Sequence, residues 1–185
     1  MPRGLAVLIY HRVGADADPL RPRVATVEEF RRQMRVLARY FRPCRLAEGL
    51  RQLRDGRLPP RSVAVTFDDG YADNARIALP ILREARVPAT FFIATSYLDG
   101  GRMWNDTVIE AVRRLAPGDH RFPHAGLATI TVPHSLDRRT LVLALLDAIK
   151  HLPQAERQAA ADALQSLAAQ ALPAFGLRFA QHGRP

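Results

Sequence analysis

The apolar run Val63-Ala64-Val65 leads straight into Thr66-Phe67-Asp68-Asp69-Gly70, and this junction limits what the chain can fold into more than any other stretch. A short unbroken apolar segment reads as a buried strand. Two adjacent carboxylates at its end are costly to hold together, because close like charges raise one pKa unless a cation or a proton lies between them. A metal ion that takes one carboxylate as ligand and leaves the other as base resolves the conflict. Gly70 lets the backbone turn sharply away from the strand. The plainer alternative is a solvated acidic turn or a helix cap, since Asp-Gly is common turn chemistry.

The surrounding pattern alternates strands with helices. Leu5–Ile9 reads as a first buried strand, followed by a polar loop over Gly14–Pro22. Thr26-Val27-Glu28-Glu29 has the form of a capping box, and Phe30, Met34, Leu37 and Phe41 follow at helical spacing, which predicts an amphipathic helix over about 26–41. Leu46, Leu50 and Leu53 predict a short second helix, stopped by Gly56 and Pro59-Pro60. A third helix is expected over about 73–86, distorted by Pro80. Pro88 then introduces a strand over Ala89–Ala94.

Such alternation argues for a parallel sheet with helices outside, open or closed into a barrel. In either form the active site lies at the carboxyl ends of the strands. That rim would gather His11, Asp68, Asp69 and the Thr95-Ser96 end of the third strand.

Beyond residue 100 the pattern changes. Asn105-Asp106 can cap a helix running to about Leu115, Pro117–Gly126 reads as loop, and Thr129–Val132 as a short strand. Two Ala/Leu-rich helices follow, over about 137–151 and 154–171, separated by Pro153, and the tail from Pro173 shows no periodicity.

The chain has 185 residues and is 48% hydrophobic, enough for a sizeable core. Its net charge of +9 comes from arginine; Lys150 is the only lysine. The arginines are scattered through the predicted helices with no basic stripe or interleaved stacking aromatics, so no nucleic-acid partner is expected. Cys44 is the only cysteine, which excludes an internal disulfide and a cysteine-rich zinc site. The apolar run at residues 5–9 is too short for a signal sequence, and no stretch is long enough to span a bilayer; a cytoplasmic location is the default expectation.

His11 is the one imidazole whose position after a strand brings it level with the acid pair. His120 and His124 have i, i+4 spacing, which on a helix would grip a metal, but Pro123 lies between them and the setting is loop-like. Trp104 suits either a packing role or a sugar-stacking platform. Cys44 lacks the electropositive surroundings of a reactive thiol. A phosphatase using magnesium and a covalent Asp68 intermediate is an alternative. The dehalogenase-like phosphatases, however, separate their two aspartates by one residue so that both face the same way on an extended chain, whereas Asp68 and Asp69 are adjacent.

Together, three segments resemble the NodB-type polysaccharide deacetylases, the fourth carbohydrate esterase family. Thr66-Phe67-Asp68-Asp69-Gly70-Tyr71 matches that family's first motif, Leu8-Ile9-Tyr10-His11-Arg12-Val13 its opening strand, and Pro88-Ala89-Thr90-Phe91-Phe92-Ile93 the strand that follows. Gly100–Asp106 is similar to a subfamily linked to exported bacterial polysaccharides. The resemblance implies an α/β fold, part of a distorted (β/α) barrel over residues 1–115, with a helical insertion over 116–172 and an irregular tail over 173–185.

It also implies hydrolysis of acetyl groups on an acetylated polysaccharide or oligosaccharide. Asp68 would be the general base and Asp69 a ligand to a divalent metal, usually zinc, with His11 and Tyr71 at the active-site rim. The family's second motif, His-(Ser/Thr)-x-x-His, supplies two further ligands and is absent here, as are the later motifs. The resemblance thus implies the amino-terminal half of a deacetylase, cut short, with weak activity or a purely binding role in isolation. Self-association through an exposed sheet edge is expected of such a half-barrel.

Overall fold

The computed structural model describes residues 4–135 and 137–170. They fall into two compact units that divide between Asp99 and Gly100, and the expected tail over 173–185 lies outside the described residues.

The first unit is built around β5 (Ser62–Phe67), buried along its whole length. β1 (Ala6–Tyr10) runs parallel along one side of it, from Ala6 opposite Val63 to Tyr10 opposite Phe67. The other side is shared by two short parallel strands. β4 (Arg42–Pro43) pairs with Ser62 and Val63, and β6 (Ala89–Phe91) pairs with Val65 to Phe67. An all-parallel sheet needs crossover helices to cover it. Here α1 (Val27–Tyr40), α2 (Leu46–Arg54) and α3 (Leu79–Ala85) supply those crossovers. A two-residue parallel ladder joins β2 (Val13–Gly14) to β3 (Ala25–Thr26) ahead of α1.

The core lies on one face of the sheet. Val63, Val65 and Phe67 pack with Phe30, Met34 and Leu37 of α1 and with Ile81 and Leu82 of α3. Tyr10 and Phe91 flank Phe67 in stacked arrangements, and Phe30 meets both Phe67 and Tyr10 edge-on. Such offset and edge-to-face pairs add to the area they bury. On the opposite face of the sheet Ile9 is 63% exposed and Val7 41%. Among the described residues β1 pairs in this sheet only with β5.

α1 begins as the sequence dictates. The Thr26 hydroxyl accepts from the Glu29 amide and the Glu29 carboxylate accepts from the Thr26 amide, both halves of a capping box. α2 forms where its leucines recur. Leu50 and Leu53 are exposed, while Gly49 is buried, and a Cβ there would sit 2.9 Å from both Cys44 Sγ and Leu5 Cδ2. The absent side chain sets how closely the helix approaches.

The distortion expected at Pro80 is a π-helical turn, Asn74–Ala78, running into α3, with the Leu79 amide donating to the Asn74 carbonyl. Shifting the ladder by one residue accommodates the proline's missing donor and its ring. The third strand is shorter than expected: β6 ends at Phe91, and Thr95–Tyr97 is a 3₁₀ turn. Phe92 and Ile93 are half exposed, and the last bond to β5 is the Phe92 amide donating to the Phe67 carbonyl at 2.8 Å.

In the second unit, α4 (Trp104–Arg114), α5 (Arg139–Lys150) and α6 (Gln154–Gln170) surround a small core. α4 starts one residue before Asn105, so Asn105 and Asp106 lie inside its first turn and Met103 takes the cap position without a side-chain bond. Small residues on α6, Ala160, Ala161 and Ala168, are buried around Leu164. Arg138 closes the far end of α4: its guanidinium donates to the carbonyls of Val112 at 2.7 Å and Leu115 at 2.6 Å. This satisfies acceptors that a helix end leaves orphaned.

Residues read as loop contain a strand, β7 (Gly118–Arg121), paired antiparallel with β8 (Thr129–Val132). Gly-Asp-His-Arg carries no strand signal of its own; cross-strand pairing overrides it, with the Thr131 hydroxyl donating to Asp119 at 2.7 Å. Among the described residues no helix is long and apolar enough to cross a membrane.

Candidate active site

The carboxyl ends of β1 and β5 lie side by side because the strands are parallel and in register at Tyr10 and Phe67. The pairing extends one step further, with the Asp68 amide donating to the Tyr10 carbonyl at 2.9 Å. The next residues along each strand, His11 and Asp68, are therefore neighbours. His11 Nε2 stands 3.9 Å from Asp68 Oδ2, an ion-pair separation longer than a hydrogen bond, and both side chains are open to solvent.

Asp69 and Gly70 both adopt left-handed backbone conformations, with φ of 73° and 74°. Aspartate tolerates this region better than most residues, though at some cost. Two successive left-handed residues break the alternation an extended chain would impose on adjacent carboxylates. The Ala94 amide donates to the Asp69 carbonyl at 3.3 Å, tying the turn to the segment after β6. A Cβ on Gly70 would sit 2.9 Å from Ile93 Cδ1, so glycine is needed for space as well as for φ.

A polar network supports the rim from below. Arg12 Nε donates to Asp73 Oδ2 at 2.9 Å, and the Val13 amide donates to Asp73 Oδ1 at 3.2 Å. Asn74 Nδ2 donates to the His11 carbonyl at 2.9 Å and to Asp73 Oδ1 at 3.2 Å. The Arg12 guanidinium carbon lies 4.5 Å from the centre of the Tyr71 ring, a cation–π distance. Asn74 is buried and its Oδ1 has no hydrogen-bond partner, an arrangement that costs about 1–3 kcal/mol for an orphaned acceptor. A mostly apolar cavity of about 200 Å³ lies alongside, lined by Gly70, Tyr71, Asn74, Phe91 and Ile93 among others.

The structure thus brings His11 and Asp68 together, sets Asp69 beside them in sequence in a left-handed turn, and places Tyr71 under the Arg12 cation. Thr95 and Ser96, expected at the strand end, belong instead to the 3₁₀ turn. His120 and His124 each have their own contact: His120 Nε2 lies 2.8 Å from the Ala116 carbonyl, and the His124 ring packs on Phe122. Trp104 is half-buried with the Arg157 guanidinium 5.5 Å from its ring. Burial, and secondarily Glu48, pushes the Cys44 thiol up, away from the reactive thiolate. Sequence reasoning missed Asp73 and Asn74. The only signal they give is an Asp-Asn pair following Tyr71-Ala72, residue types common at any helix start.

Residues 55–135 match the family model described as polysaccharide deacetylase. Over that stretch the chain resembles the polysaccharide deacetylases.

Among solved structures, this chain is similar to a de-N-acetylase from Aggregatibacter actinomycetemcomitans, at 25% identity and a TM-score of 0.46, over 52% of this chain and 40% of that one. A Streptococcus pyogenes deacetylase, PplD, solved in complex with acetate, matches at 20% identity and a TM-score of 0.45, over 60% of this chain and 53% of that one. IcaB from Ammonifex degensii matches at 20% identity and a TM-score of 0.42, over 88% and 81%. The match therefore spans about half the length of the first two structures or less. No curated protein sequence matches.

A deacetylase's metal requires a donor set. Zinc sites use three or four protein ligands in tetrahedral geometry. Among the described residues no group of three or more His, Cys, Asp or Glu side chains is placed to hold a metal ion. Asp69 can offer one carboxylate and Asp68 another, which is hard oxygen chemistry without the imidazole or thiolate partners zinc favours. The described residues alone do not fit a complete zinc site.

Proposed function

We propose that this chain carries the base-bearing part of a polysaccharide deacetylase that hydrolyses acetyl groups on N-acetylated amino sugars. The single observation that carries the reading is the Asp68–His11 juxtaposition at the shared carboxyl end of two parallel strands, with Asp68 inside the segment matched by the family model. Asp68, open to solvent on one side, would take the proton of the water that attacks the acetyl carbonyl. His11 would stand next to that carboxylate. Tyr71, beneath Arg12, would bound the rim. Asp69 would contribute one ligand to a divalent metal, zinc by family habit, whose remaining ligands come from outside the described residues. In this reading residues 1–115 form part of a distorted barrel and 116–172 an insertion.

A binding or inactive role has its own support. Ile9 and Phe92 are at least half exposed next to the rim, and an apolar edge of this kind suits association with a further strand, from another copy or a partner. A magnesium-dependent phosphatase has no comparable observation in its favour.

The test is acetate release from N-acetylglucosamine oligomers with added zinc. The deacetylase reading expects slow release that disappears in Asp68→Asn. Release of phosphate from an aryl phosphate with magnesium, and no acetate, would replace it with the phosphatase.

A further inference from the structure

The His11 side chain has little to hold it. It is 56% exposed, and its 3.9 Å approach to Asp68 is too long to fix a ring. Its placement must come from its backbone. The 11–13 segment is gripped at three successive residues, through the backbone at His11 and Val13 and through the side chain at Arg12, by two adjacent residues of another element. The His11 carbonyl accepts from Asn74, the Arg12 guanidinium binds Asp73, and the Val13 amide donates to Asp73.

The grip is buried and directional. The Asp73 side chain is only 12% exposed, and its carboxylate receives donors on both oxygens. Asn74 Nδ2 bonds Asp73 as well as His11, so the two side chains brace each other. They stand at the start of the π-helical turn, whose ladder shift is set by the downstream Pro80. The polar contacts of both residues described above are to the 11–13 segment and to each other.

We propose that Asp73, braced by Asn74, is a positioning residue that fixes the 11–13 segment and thereby holds the His11 imidazole beside Asp68. The proposal rests on the reading of the acid pair as the reactive centre, but its geometry can be tested apart from it. A carboxylate held by one guanidinium and one amide, each with a defined direction, locates a loop better than apolar contact does. The buried Asn74 acceptor left without a partner fits a network kept for the geometry it enforces.

The experiment is NMR on the full chain, following the cross-peak between the His11 ring and the Asp68 methylene protons together with amide exchange. In Asp73→Asn the cross-peak is expected to vanish and Val13 amide exchange to speed up about tenfold, the effect of losing one charge-assisted bond, while β5 amides stay protected. An unchanged cross-peak and unchanged Val13 exchange would overturn the proposal.

If Asp73→Asn fails to fold, Arg12→Gln, at a half-exposed position, is expected to weaken the cross-peak and speed Val13 exchange by a few-fold; no change there overturns it equally. Asp68→Asn separates the two ideas, because it abolishes any acetate release while leaving Val13 exchange as in the parent chain. Acetate release that survives Asp68→Asn would sink the reading of the acid pair and leave the clamp standing.

Discussion

The Asp68 amide donates to the Tyr10 carbonyl at 2.9 Å, one step beyond the last paired residues of β1 and β5. That bond carries the parallel ladder into the loops and makes His11 and Asp68 neighbours. Everything chemical in the first unit follows from this extension, because the next residues, Asp69 and Gly70, leave the sheet at once through left-handed conformations.

Gly70→Ala is therefore expected to destabilise the chain by about 1–2 kcal/mol, the cost of a left-handed L-residue, with a further loss from the contact at Ile93. Asp69→Asn keeps a residue that tolerates this backbone and is expected to leave stability within about 0.5 kcal/mol. Urea unfolding of both variants checks the contrast. Equal losses in the two would mean that backbone conformation does not govern this turn.

The aromatic cluster beneath the rim is the second target. Phe67 is fully buried between Tyr10, Phe30 and Phe91, so Phe67→Ala is expected to cost about 3–5 kcal/mol. Phe92→Ala, one residue along from Phe91 and half exposed, is expected to cost less than about 1 kcal/mol. Chemical denaturation with tyrosine fluorescence measures both. A small loss for Phe67→Ala would place the core elsewhere.

In the second unit, Arg138→Met removes the donors that close α4 and is expected to cost about 1–3 kcal/mol by leaving buried carbonyls unpaired. Hydrogen exchange at the last turn of α4 reads this locally, and protection equal to the parent chain would rule out the cap.

Stability should also depend on pH in two windows. The Thr26 amide and hydroxyl hold the Glu29 carboxyl below its usual range, so the capping box contributes fully above the ordinary value near 4.5 and is lost as pH falls through the lowered one. Burial pushes the Tyr10 phenol up from 10.0. Its contribution is present below that value and is lost as pH rises through the raised one, since the unfolded chain ionises first. Thermal melts from pH 3 to 11 are expected to show both flanks, and Thr26→Ala, costing about 1 kcal/mol near neutrality, should flatten the acidic one. An acidic flank unchanged by Thr26→Ala would assign it to other carboxylates.

Much of the first unit was legible because its signals were local and agreed with one another. The apolar run at β5, the Thr26–Glu29 box and the proline in the third helix each dictated a feature that formed. What stayed hidden depended on partners distant in sequence. Gly49 faces inward because Leu5 and Cys44 leave no room for a side chain, β7 exists because β8 pairs with it, and Asp73 and Asn74 earn their roles from residues 11–13. The acid pair could be read from its position at a strand end, whereas the network that fixes its neighbour could not, since hydrogen bonds across the sheet rim leave no periodicity.

The central claim is that Asp68 is the base of a deacetylating centre beside His11. The most direct measurement is acetate released from N-acetylglucosamine pentamer by the purified chain with zinc, compared with Asp68→Asn and His124→Gln. Slow release that Asp68→Asn abolishes and His124→Gln leaves intact is the predicted result. Release indifferent to Asp68→Asn would contradict it.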